Sequence, residues 1–97
     1  MGGNTFIEIV EGDNEHQAFQ DAVRSAQYEY GHGGYTGTIA EKSEFVVIPM
    51  ISGDITPLEY VEKLIDEDDK RIEDKWGPAG CIRLGDNRFL FFGWASS

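Results

Sequence analysis

Apolar positions along the chain change their spacing repeatedly, and each change marks an element. Residues 5–10 (Thr-Phe-Ile-Glu-Ile-Val) are dense in β-branched and aromatic side chains and predict a strand. Gly12-Asp13-Asn14 breaks it, and Asn14 with Gln17 three residues on makes a capping-box pattern. Phe19, Ala22, Val23, Ala26 and Tyr30 then follow at i, i+3, i+4, i+7 and i+11, which is one apolar helical face. Gln17, Gln20, Asp21, Arg24 and Gln27 take the other side, and Gly31 is a natural terminator. Residues 35–41 alternate and predict a strand, and residues 44–48 predict another, with Lys42-Ser43 short enough for a hairpin turn. Thr56, Pro57 and Glu59 supply N-cap, first-position proline and capping-box partner for a second helix. Leu58, Val61, Leu64, Ile65 and Ile72 give it an apolar stripe that reaches toward Trp76, and Gly77-Pro78 stops it. Residues 81–84 and 89–95 read as a closing hairpin across Gly85-Asp86-Asn87.

The predicted order is β-α-β-β-α-β-β in a single domain, 1–97. Because hairpins dominate, the expectation is an α+β two-layer sandwich: a mostly antiparallel sheet of about five strands with both helices on one face. The opening β-α-β leaves one parallel pair open.

Composition adds bounds. Ninety-seven residues, 40% apolar and 12% aromatic, are enough for one modest core and too apolar for a disordered chain. No apolar run approaches a bilayer's thickness, and the first residues, Met1-Gly2-Gly3-Asn4-Thr5, lack the basic and apolar regions of a secretory signal. The sixth position is Phe6, which departs from the myristoylation pattern. One cysteine, Cys81, cannot form an internal disulfide, and a cytoplasmic, reducing setting is expected.

Charge changes the picture more. Eighteen acids against eight bases give −10, and both halves are acidic, with eight acids and two bases in 1–50. Nucleic-acid binding draws its affinity from Lys and Arg on phosphates, so direct nucleic-acid binding is not expected, nor is binding to anionic membranes. The field would steer the chain toward a basic partner.

Candidate chemistry centres on the run Tyr30-Gly31-His32-Gly33-Gly34-Tyr35-Thr36-Gly37-Thr38, whose glycines exceed what a helix end needs. Successive glycine N–H groups can cradle an anion, which makes Gly31, Gly33, Gly34, Thr36, Gly37 and Thr38 an alternative ligand loop. Phosphate loops of predictive value lead into a helix N-terminus, however, whereas this one leaves a helix and carries no lysine. The other readings are a structural turn and a protein-contact surface built on Tyr28, His32 and Tyr35. His16 and His32 stand about 24 Å apart if the helix between them is continuous, so they cannot share a metal. Asp66-Glu67-Asp68-Asp69 sits in the second half of the predicted helix two, where i+3 and i+4 spacing pairs carboxylates. Paired carboxylates can do acid–base or magnesium chemistry, but interleaved Lys63, Lys70 and Arg71 are equally what a solvated face looks like. Cys81 reads as a buried small residue. Phe91 and Phe92 point to opposite faces, and an exposed Phe92–Trp94 pair would make the 81–95 hairpin a homodimer surface. No catalytic set, metal site or cofactor is expected.

The segment Tyr28-Glu29-Tyr30-Gly31-His32-Gly33-Gly34-Tyr35-Thr36-Gly37-Thr38-Ile39-Ala40-Glu41-Lys42 resembles segments of small acidic bacterial and phage proteins. In size and charge the whole is similar to phage-encoded inhibitors of host defence. That resemblance implies a binding role, and the dispersed charge with the lack of a catalytic set makes the expectation an inhibitor or adaptor that binds a basic, nucleic-acid-handling host protein. The residues expected to do so are Asp66, Glu67, Asp68, Asp69, Glu73 and Asp74, with the loop tyrosines as anchors. The competing expectation is a small-molecule or nucleotide binder using residues 31–38.

Overall fold

The computed structural model describes residues 3–30, 39, 42–49, 55–67, 69–70, 72, 77–85 and 87–96. Its elements are β1 (Gly3–Glu11), α1 (Glu15–Tyr30), β2 (Phe45–Val47), α2 (Pro57–Asp66), β3 (Ala79–Gly85) and β4 (Arg88–Ser96). The four strands form one mixed sheet in the order β1-β4-β3-β2. β4 is antiparallel to both β1 and β3, while β2 runs parallel to β3. The fold is therefore α+β, with four strands among the described residues where about five were expected. Of the expected strand at 35–41, only Ile39 is described, and its carbonyl accepts from Lys42 N–H at 2.9 Å; the rest of that expectation lies outside the described residues.

The helices lie on opposite faces of the sheet, which corrects the two-layer expectation. Phe89 and Phe91 of β4 and Cys81 of β3 pack with Ala18, Phe19, Ala22 and Ala26 of α1. The alternate residues Leu90, Phe92 and Ile82 pack with Tyr60, Val61 and Leu64 of α2. Successive strand residues point to opposite faces, so these two cores sandwich the sheet. The reason is topological. β1-α1-β2 crosses from one edge of the sheet to the other, and β2-α2-β3 returns. Crossovers of one preferred hand that travel in opposite directions must use opposite faces. A sheet read as hairpins has no such crossovers, and that is where the expectation failed.

Local chemistry sets the helix starts. Asn14 Oδ1 accepts from Gln17 N–H at 2.8 Å, and Gln17 Oε1 accepts from Asp13 N–H at 3.3 Å. Thr56 and Glu59 form a reciprocal capping box, with Glu59 N–H on Thr56 Oγ1 at 3.1 Å and Thr56 N–H on Glu59 Oε1 at 3.1 Å. The end of α2 differs from expectation. It stops at Asp66 with Glu67 as C-cap, and Ile72 is buried from a turn, its N–H on the Asp69 carbonyl at 3.0 Å. Acidic side chains are unfavourable at the negative end of a helix dipole, so the run at 66–69 is a poor continuation. The buried stripe of α2 is Tyr60, Val61 and Leu64, with Leu58 left 48% exposed.

Two glycines make the central hairpin pack. A Cβ on Gly80 would stand 2.6 Å from Phe92 Cζ, so the ring lies directly over that backbone. Gly93, at φ +152°, holds a conformation that side-chain-bearing residues rarely adopt, and the Phe6 ring covers it across the β1–β4 ladder.

Candidate interaction surface

β1 forms one edge of the sheet, and among the described residues its only strand partner is β4. The β1–β4 ladder runs unbroken through nine pairs from Gly3↔Ser96 to Glu11↔Arg88. Phe6 and Val10 turn inward to the α1 core. Ile7 and Ile9, on the other face, stay 36% and 55% exposed, because α2 covers the central strands more fully than this edge.

Two open grooves flank the edge. On the α1 side, one of about 350 Å³ runs between β1 and the helix, with Glu8 and Glu11 on the strand and Asp21 and Glu29 on the helix. On the α2 side, Thr5 and Ile7 face Glu62, Ile65 and Asp66 across a second groove. Six carboxylates and no basic side chain line the two. Asp21 shares its charge weakly with Arg24 at 4.0 Å, both side chains well exposed, and Glu11 faces Arg88 in the ladder.

Of the sequence-predicted contact residues, Asp66 lines the second groove. Tyr28 is 91% exposed on α1, next to Glu29 of the first groove but not among the residues that line it. Glu67 is exposed at the C-cap, and Asp69 is half-buried beyond the helix. His32, Tyr35, Asp68, Glu73 and Asp74 lie outside the described residues, as do Gly31, Gly33, Gly34, Thr36, Gly37 and Thr38 of the alternative ligand loop. Ile7, Ile9, Glu8, Asp21 and Glu29 are not singled out by the sequence patterns above, and Glu62 enters there only as a carboxylate at i, i+4 spacing from Asp66. A signal was present: β1 carries apolar residues on both faces, more than a strand with one solvent face requires.

Elsewhere the polar side chains serve the fold. Arg83 Nε donates to Glu15 Oε2 at 2.7 Å, and Arg83 Nη2 donates to the same oxygen, tying β3 to the first turn of α1. Its own backbone N–H and then Arg83 hold the Glu15 carboxyl below the usual carboxylate range. The backbone N–H of Thr56, then its hydroxyl, does the same for Glu59. Lys42 is buried, its ammonium donating to the Gly77 carbonyl at 2.9 Å. The His16 ring meets Phe45 edge-on at 5.2 Å, beside the Phe19–Phe45–Phe91 cluster. Among the described residues no group of His, Cys, Asp and Glu has the arrangement of a metal site. Phe92 is fully buried and Trp94 half-buried under α2, and their hairpin occupies the middle of the sheet. Of the two alternatives for Phe92 and Trp94, cover by a neighbouring element or exposure, the structure shows cover, so the pair offers no exposed aromatic patch.

No protein-family model matches the chain, and no curated protein or solved structure matches it. No described helix is long and apolar enough to cross a membrane.

Proposed function

We propose that this chain is a small acidic protein-interaction module, an inhibitor or adaptor that covers a basic surface of a partner protein. The observation that carries the reading is the pair of grooves along β1, lined by six carboxylates and no basic side chain. An exposed array of one sign is costly to keep through self-repulsion, and a partner of opposite sign relieves that cost. Exposed Tyr28 on α1 and Ile9 on the strand supply apolar area that such a partner would cover.

Fluorescence anisotropy with labelled cationic peptides, at low and high salt, tests it. Binding to a Lys-rich peptide is expected to weaken steadily as salt rises, and to weaken at fixed salt in the Glu62→Gln/Asp66→Asn variant. Salt-independent binding, or none to any cationic peptide, overturns the proposal.

A further inference from the structure

The outer edge of β1 combines two properties that bear on how a partner would bind. The first is an edge ladder. β1 is nine residues long and pairs in unbroken register on its inner side, and among the described residues no strand pairs with its outer N–H and C=O groups. Natural sheets blunt such edges with charged side chains, lysine above all, or with proline, bulges or very short strands. β1 has no proline, no lysine and no bulge against β4, and its two charges, Glu8 and Glu11, are acidic, which opposes an acidic strand and admits a basic one. The opposite edge, β2, is only three residues long and offers no comparable template. The second property is the side-chain pattern: exposed Ile7 and Ile9 on the α2 face, and carboxylates on the walls of both grooves.

We propose that a partner's extended segment, alternating basic and apolar residues, adds to the sheet as a fifth strand along β1. The inference rests on the interaction-module reading above and specifies its surface and the partner's conformation. In strand addition the backbone ladder gives affinity, and alternate side chains give specificity. Here the apolar side chains of the incoming strand cover Ile7 and Ile9. Its Lys and Arg, projecting to the other face, meet Glu8, Asp21 and Glu29. A basic residue at the strand's end reaches Glu62 and Asp66. A second copy of this chain is the competing occupant of an open edge. Charge opposes it, because each copy carries −10 and would bring the same carboxylate walls to the contact.

The test uses the whole chain and three probes: an alternating Lys-Val octapeptide, a block peptide of the same composition, and the alternating peptide N-methylated at every second residue. N-methylation leaves charge intact and prevents completion of the ladder. The alternating peptide should bind about tenfold more tightly than either control and protect β1 backbone amides from hydrogen exchange. Ile9→Gln, which leaves the charge of the walls unchanged, should weaken the alternating peptide more than the block peptide. Equal binding of all three peptides overturns strand addition and leaves the acidic-module reading standing. No binding of any overturns both. Protection of β1 that depends on protein concentration without peptide assigns the edge to a second copy and overturns the proposal.

Discussion

Burial decides what Cys81 can do. Loss of water pushes its thiol up to about 12, and the Glu15 carboxylate adds to the rise. The thiolate is the reacting species, so alkylation of the native protein at neutral pH should proceed only through opening, at a rate that climbs with urea. Rapid labelling of the folded chain contradicts this. The same burial predicts an alkaline weakness. The native thiol keeps its proton up to about 12, whereas the unfolded thiol releases it from its ordinary value of 9.0. The stability it contributes is complete below 9.0 and is lost as pH rises toward about 12. Cys81→Ala should therefore flatten the alkaline limb of a stability–pH curve. Gly80→Ala tests packing directly. The Phe92 ring is fully buried and has nowhere to move, so the added methyl should cost about 1–3 kcal/mol in urea unfolding. An unchanged midpoint contradicts the close approach. Cys81 as a small buried residue was legible in the sequence, since a strand position gives it one inward direction. The fate of Phe92 was not, because alternation assigns it a face without saying what covers that face.

At the scale of elements, starts were more legible than ends. Thr56, Pro57 and Glu59 specify the beginning of α2 by local hydrogen bonding, and local rules suffice. Thr56→Ala should lower stability by about 1 kcal/mol, read from thermal or urea unfolding. No loss would mean that the N–H of Glu59 finds another acceptor. The end of α2 was misread because Ile72 repeats the helical spacing of Leu64 and Ile65. Its apolar character comes from burial in a turn after the chain has left the helix. Periodicity records which residues are covered, and a turn can cover a residue as well as a helix can. The acids at 66–69 carried the countervailing signal, at the wrong end of a dipole.

For the whole molecule, local patterns indicated α+β correctly and the layers incorrectly. Which face a helix takes depends on strand order and direction, and no single segment of sequence contains either. The candidate surface was half legible for the same reason. Tyr28 and Asp66 were selected as separate features, on a helix face and in an acidic run. Only the sheet brings Asp66 to the β1 edge, and Tyr28 lines neither groove. The β1–β4 ladder carries one more consequence, for how the chain folds as it is made. Gly3 pairs with Ser96, so β1, made before the other described strands, waits for β4 before it has a neighbour among them. Such pairing raises contact order and slows folding, and during the wait Ile7 and Ile9 are exposed on a strand with both edges open. Loss of β4 alone would leave β1 without its strand partner among the described residues.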